Sequence, residues 1–385
     1  MDMSSRTKIV IGIVGPIDIK LVKKQKEWSD SPVGNEYPMF SYFVNYLIDN
    51  NYKVNVYTTS PGIKKKVQYI DDHVSIFVAP KRSRKYAKHY FLEVRELRAM
   101  LKASPSDVLF AQWTYEFALS AINSGLRTIV TINDNARKIF LIRPTINKFI
   151  KLLINRLVLQ KSTQLIAVSE YIYNNLSAGV RNKTIIIPNF YPDYLERLFI
   201  EYKNRKKIIV TFCNGFGKRT NVQKAVEGFK IFNERNINSQ FEYHLIGEGT
   251  EVKGKLYSYA HKINAPLEKM HFHGYLSHPD AMEVLKFASL LIHPSLEEAN
   301  SITIIESMVL GVPVIGNIFS DAVKEQLSGD AGYLCNTKCA FEINRYIAYC
   351  INNSGHCQEV LLRARYHALK KYNIQNVIEQ QISLI

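Results

Sequence analysis

The sequence predicts an α/β protein made of two doubly wound, Rossmann-like domains that face a central cleft. Three observations carry this expectation. The chain has 385 residues, too many for one ordinary core. Its composition, 46% hydrophobic and 22% charged, is that of a globular protein rather than a disordered or fibrous one. Short β-branched apolar runs alternate with helix-length amphipathic segments, the pattern of parallel βαβ sheets covered on both faces.

A first series of runs occupies 9–14, 54–59, 107–112, 128–132, 165–168 and 184–187. A second occupies 208–213, 243–246, 270–273, 290–293, 313–315 and 332–334. Between them Pro188, Asn189, Pro192 and the charged stretch 201–207 interrupt the pattern. The expected organisation is therefore a first domain over 1–190, a linker over 191–206 and a second domain over 207–365. A C-terminal helix over 366–385 is expected to pack back on the first domain. Open parallel sheets bind ligands beyond the carboxyl ends of their strands, which makes the cleft the expected site.

Charge divides the chain more sharply than hydropathy does. Residues 1–190 carry 28 Lys and Arg against 14 Asp and Glu, a net +14, whereas residues 191–385 carry 22 against 20. An anionic partner is thus expected at the first domain. The basic residues cluster at 20–26, 64–66 and 81–88, with Trp28, Tyr86, Tyr90 and Phe91 among them. Residues 146–159 read as an amphipathic helix with Lys148, Lys151 and Arg156 on its polar side, suited to an anionic bilayer surface. No nucleic-acid recognition motif accompanies this charge, and nucleic acid is not an expected partner.

The N-terminus lacks an apolar leader segment and no run reaches the roughly 20 apolar residues that span a bilayer. The expectation is a cytoplasmic protein, peripheral on the inner face of the cytoplasmic membrane. The five cysteines, Cys213, Cys335, Cys339, Cys350 and Cys357, are odd in number and lack zinc-type spacing, so reduced thiols are expected. His89, His244, His271, His273, His278 and His293 are scattered, and structural or surface roles are expected of them, His293 excepted because it ends the strand that leads into the chemistry-bearing loop.

The most informative stretch is 293–316, HPSLEEANSITIIESMVLGVPVIG. Its spacing predicts a strand over 290–293, a loop, and a helix over 301–310 stopped by Gly311 and Pro313. Glu298 precedes that helix and Glu306 lies inside it. The N–H groups of Asn300, Ser301 and Ile302 at the helix start form a cradle for a diphosphate. Two carboxylates flanking such a cradle suit the hydroxyls of a nucleotide sugar. Taken alone, the pair also fits a helix-end charge and a solvated face. Gly215, Gly217, Lys218 and Arg219, in NGFGKRTN, form a glycine turn after a strand that alone fits a tight turn with solvated charges and, with the family resemblance given below, a phosphate contact through Lys218 or Arg219. No Asp-x-Asp occurs.

These residues resemble the donor-site signature of the family 4 retaining glycosyltransferases of GT-B fold. The elements are Pro294-Ser295, the E-x7-E of Glu298 and Glu306, and Gly311-x-Pro313-Val314-Ile315. The GxG turn of Gly247 and Gly249, the F-x-G of Phe272 and Gly274, Ile187-Pro188-Asn189 and the loop Val33-Gly34-Asn35 also resemble family elements.

The resemblance implies that Glu298 contacts the transferred sugar, Glu306 the ribose, and the backbone of Ala299, Asn300, Ser301 and Ile302 the sugar and diphosphate. It implies a metal-independent reaction without a cofactor. It places the acceptor on the first domain, near Gly34, Asn35, Trp113, Asn133 and Asp134. Two departures stand out. Thr220 occupies a position where the family often has Lys, and Asn133 one where it commonly has His; Phe110 and Gln112 likewise replace histidines.

The expected activity is transfer of a hexose or N-acetylhexosamine from a UDP-sugar to an anionic lipid-linked or oligosaccharide acceptor, in bacterial lipopolysaccharide or capsule synthesis. Two other readings stay open: an inverting GT-B transferase or epimerase, and a catalytically silent scaffold that binds membrane or a partner.

Overall fold

The computed structural model describes residues 9–34, 37–82 and 88–385, so Asn35 and Tyr86 lie outside the described residues. The chain divides into two compact units, one ending at Pro188 but rejoined by Ile374–Ile385, the other spanning Asn189–Asn373.

The first unit is built on an 8-stranded sheet. Its strands are β1 (Val10–Val14), β2 (Lys53–Ser60), β3 (Val67–Ile70), β4 (Val74–Pro80), β5 (Val108–Gln112), β6 (Thr128–Ile132), β7 (Gln164–Ala167) and β8 (Thr184–Ile186). The order is β3-β4-β2-β1-β5-β6-β7-β8, all pairs parallel except β3 with β4. Every residue of β5 and β6 is buried, as continuous apolar strands between two helical layers must be.

Strands β3 and β4 were not expected. The segment 61–73 is too short for a crossover helix and its loops, so the chain turns back as a hairpin instead. Its turn is held by Asp71, whose Oδ1 accepts from the N–H of His73 at 2.9 Å and of Val74 at 2.7 Å.

The second unit is a 6-stranded, wholly parallel sheet in the order β11-β10-β9-β12-β13-β14. Its strands are β9 (Ile208–Asn214), β10 (Glu242–Glu248), β11 (Met270–Gly274), β12 (Leu290–His293), β13 (Val314–Asn317) and β14 (Tyr333–Cys335). Two cores lie on its two faces because strand side chains alternate. Val210, Leu291 and Val314 pack with helices His278–Lys286, Ile302–Leu310 and Ser354–Lys371. Ile209, Ile292 and Ile315 pack with Val222–Arg235, Lys255–Lys262 and Ala340–Asn352.

Two expectations about boundaries are corrected. Residues 191–206 do not form a free linker. Tyr191 and Leu195 are fully buried in the second unit's core. Arg205 donates to the carbonyls of Lys286 (2.7 Å), Ala288 (3.1 Å), Ile200 (2.7 Å) and Leu310 (2.5 Å), with burial pulling its pKa down to about 10. Burying a charge costs less when its donors are matched, and both terminal nitrogens are, while Nε has no partner of good geometry among the described residues. At the other end, 366–373 stays with the second unit through Ala368 and Tyr372, and the chain enters the first unit at Ile374. There Ile374, Val377 and Ile378 are buried, and Arg127 donates to the carbonyls of Leu384 and Ile385.

Candidate functional site

In the second unit the carboxyl ends of the neighbouring strands β9 and β12 open into two loops that bond to each other. Leu296 donates its N–H to the Arg219 carbonyl at 2.8 Å, and Arg219 Nη1 donates to the Glu297 carbonyl at 3.2 Å. Asn221, in the left-handed region at φ 53°, spans the gap by donating to the carbonyls of Pro294 (3.2 Å) and Thr337 (2.8 Å). The sequence reading left Lys218 and Arg219 undivided. Arg219 is the one carried to the acidic loop, while Lys218 is exposed.

Glu298 is four-fifths enclosed, with Oε1 3.4 Å from His293 Nε2 and 3.7 Å from Arg219 Nη1. Burial by itself would raise its pKa. The hydrogen-bonding reach and charge of His293, then the charge of Arg219 and a bond from Ser295, outweigh that and hold the carboxyl below its ordinary value. At 3.4 Å the contact is more electrostatic than a formed hydrogen bond, and His293 Nε2 is buried with no hydrogen-bond partner of good geometry among the described residues. The position therefore offers an ionised acceptor beside an unsatisfied imidazole nitrogen.

The helix Ile302–Leu310 begins where expected. Ser301 is its N-cap, accepting from Ile304 N–H, and Gly311 ends it at φ 75°. The expected cradle is shifted, however. The Ser301 N–H is already spent on Gln326 Oε1 at 2.8 Å, and Gln326 Nε2 returns a bond to the Ser301 carbonyl at 3.0 Å. The N–H groups of Asn300, Ile302 and Thr303 have no protein acceptor among the described residues. Asn300 also accepts twice from Asn189, through Oδ1 at 3.0 Å and its carbonyl at 2.8 Å. Thr303 and Gln326 were missed from sequence. Nothing local marks Gln326, which arrives from helix Asp321–Gln326.

Glu306 is 3% exposed, and its Oε1 lies 2.6 Å from His278 Nε2. His278 in turn meets the Tyr194 hydroxyl through Nδ1 at 3.0 Å. The solvated-face alternative for Glu306 is thereby excluded. Its other oxygen carries no protein hydrogen bond among the described residues. His278, expected to be structural, positions this carboxylate.

Thr220, where a lysine was anticipated, is a loop staple. Its Oγ1 lies 2.9 and 3.0 Å from the Gly215 and Gly217 carbonyls and accepts the Gly217 N–H at 3.3 Å. Gly247 backs this loop at φ 116°, and a Cβ there would stand 2.1 Å from the Cys213 carbonyl oxygen. Only glycine fits. Ala299 is buried between the loop and the helix start.

In the first unit the expected residues gather at the carboxyl ends of β5 and β6. Asn133 Nδ2 donates to Gln112 Oε1 at 3.2 Å, and Asp134 Oδ1 accepts from the Tyr115 hydroxyl at 2.7 Å. Burial first, then the Asp134 charge, pushes the Tyr115 pKa well up, so it stays a donor. Trp113, at φ 59°, meets Tyr37 and Phe40 edge-on at 5.0 and 5.7 Å. Gly34 donates to Ser60 Oγ at the end of β2 at 3.2 Å.

Helix Ile146–Lys161 departs in part from the expectation: Ile154 and Val158 are buried and Arg156 is exposed, but Lys148 and Lys151 turn toward the protein. Lys151 is over the Tyr115 ring at 4.5 Å, Lys148 reaches the Ile139 carbonyl, and Asn155 donates to the buried Thr114 hydroxyl at 2.5 Å. The stripe Ile146, Phe149, Leu153, Leu157 faces outward, 81% to 38% exposed, with Leu141 beside it. Among the described residues no helix is long and apolar enough to cross a membrane.

Comparison with known proteins now bears on the whole. Residues 196–371 match the model "Glycosyl transferases group 1" and residues 40–193 the model "Glycosyltransferase Family 4". Together with two sheets of this kind they define the chain as a glycosyltransferase of GT-B fold, with the family 4 model on its first unit and the group 1 model on its second. Among solved structures it is similar to a sucrose-phosphate synthase from Thermosynechococcus elongatus, at 13% identity over 98% of each chain with TM-score 0.75. HepE of Anabaena in complex with UDP-glucose matches at 13% identity over 98% of this chain and 100% of that one, TM-score 0.67. A trehalose-6-phosphate synthase studied for glycosyl transfer with retention matches at 11% identity over 97% and 98%, TM-score 0.70. Comparison with curated proteins gives no match.

Proposed function

We propose that this glycosyltransferase moves a hexose or N-acetylhexosamine from a UDP-sugar, with retention at the anomeric carbon, onto an anionic lipid-linked or saccharide acceptor of a bacterial surface polysaccharide or lipopolysaccharide. The single observation that carries the reading is Glu298, held ionised between His293 and Arg219 one loop away from a helix start with free N–H groups. HepE binds UDP-glucose on this fold, and the trehalose-6-phosphate synthase is associated with retention.

In this reading Glu298 accepts bonds from the sugar hydroxyls, and the free oxygen of Glu306 accepts from the ribose. The N–H groups of Asn300, Ile302 and Thr303, with Arg219, neutralise the diphosphate as it leaves, so no metal ion is required there. The C1–O bond to phosphate breaks while the acceptor oxygen bonds C1 on the same face, and the departing phosphate oxygen takes the acceptor proton. Asn133 cannot titrate near neutrality and serves as a hydrogen-bonding amide. The acceptor lies on the first unit, and the outward stripe of helix Ile146–Lys161, with Arg143, Arg156 and Lys161 near it, rests on the inner face of the cytoplasmic membrane.

Turnover of several nucleotide sugars, followed by NMR of the product, tests the proposal. An α-linked product from an α-linked donor is expected. A β product ends the retaining assignment, and no turnover of any donor favours the silent scaffold.

A further inference from the structure

Four side chains that the sequence left scattered meet on one face of the second unit's sheet. Glu242 and His244 are two residues apart on β10, and His271 and His273 are two apart on the edge strand β11. The period of two points each pair to one side, and the parallel register sets His244 opposite His271. Glu242 Oε2 is 3.2 Å from His271 Nε2 and 3.5 Å from His244 Nε2, and one ligand atom from each of the three lies within 4.8 Å of the others.

We propose that Glu242, His244 and His271 bind one divalent transition-metal ion of the zinc class. Ligands at about 2.0–2.1 Å around a tetrahedral ion stand roughly 3.3 Å apart, which is the spacing the carboxylate already keeps to both rings. His244 Nε2 is buried and has no hydrogen-bond partner of good geometry among the described residues, an arrangement that costs free energy unless something occupies it. His273 completes the set from behind. Its Nε2 is 3.0 Å from His244 Nδ1, so Nδ1–H can donate to it and present Nε2 to a metal. Such an outer partner commonly fixes the tautomer of a metal-binding histidine. Two imidazoles and one carboxylate suit zinc, cobalt or nickel better than calcium or magnesium.

The site uses the starts of β10 and β11, whereas the donor loops follow the carboxyl ends of β9 and β12. The ion therefore clamps the edge strand to its neighbour and takes no part in sugar transfer. This inference does not depend on the proposed reaction.

The test uses the full chain without a histidine tag, stripped with chelator and titrated with Zn²⁺ by calorimetry and with Co²⁺ by visible absorption. One equivalent should bind, raise the melting temperature, and give a cobalt spectrum without a sulfur-to-metal charge-transfer band. His271→Ala, at a half-exposed position, should fold normally in chelator yet bind at least about 100-fold more weakly, and Glu242→Gln at least about 10-fold more weakly, because losing a direct ligand should cost no less than the roughly 10–100-fold lost with an outer partner. Binding equal to the parent in both variants overturns the proposal, as does no stoichiometric binding by the parent. Nucleotide-sugar turnover in chelator should equal that in zinc, which separates this site from the donor site.

Discussion

The two sheets carry their functional residues at the same kind of place, the carboxyl ends of parallel strands, but furnish them differently. In the second unit the residues are ionic and interlocked: Glu298 between His293 and Arg219, Glu306 against His278, and two loops bonded to each other. In the first unit they are amides and aromatics: Asn133 on Gln112, Tyr115 on Asp134, and Trp113 against Tyr37 and Phe40. Preorganised charge is what stabilises a departing diphosphate, whereas amides and rings suit the selection of an uncharged sugar or an acceptor. Under the proposed function, the contrast places the electrostatic share of catalysis in the second unit.

That contrast can be broken by mutation. The largest effect is expected at Glu298. Replacement by Ala should lower kcat about 10²–10³-fold with the fold intact, as measured by turnover and circular dichroism. Replacing both Phe149 and Leu153 by Glu should abolish sedimentation with anionic vesicles while leaving nucleotide-sugar hydrolysis unchanged; retained sedimentation would remove the membrane from the reading. Glu306→Gln should raise the donor KM roughly tenfold, the size of one lost charge-assisted hydrogen bond, with a smaller effect on kcat. Asn133→Ala should cost only a few-fold, in the acceptor KM. A loss there as large as that at Glu298 would erase the distinction between the units.

The smallest effect is a displacement in pH. The depressed pKa of Glu298 means its ionised form persists below the ordinary carboxylate value, about 4.3, and is lost only as pH falls through the lowered value. His293→Gln removes the largest lowering influence and leaves burial to raise the pKa. The acid limb of kcat/KM should then move to higher pH, and an unmoved limb would show that Arg219 alone sustains the ionised form.

Much of this was legible beforehand because it is local. Strand β6 and the strand β12 were read with their final bounds, since a β-branched run flanked by turn residues announces itself. Helix Ile302–Leu310 was read to within one residue from its cap and its glycine stop. Strand β3 escaped because it has one buried side chain, Tyr69, between charged flanks at Lys66 and Asp71, and its pairing partner is needed to see it. The direction of helix Ile146–Lys161 escaped because both its faces carry apolar residues, and only Tyr115 and Thr114 decide which one turns inward.

By itself the sequence determined the two largely parallel sheets, the capped helix and the placing of Glu298 before it and Glu306 within it, because periodicity, caps and turns are properties of neighbouring residues. The tertiary structure alone decided that Gln326 occupies the Ser301 N–H, that Arg219 rather than Lys218 meets Glu298, and that His244, His271 and Glu242 share one face. Those pairings depend on register and crossover between distant strands, which no local pattern encodes.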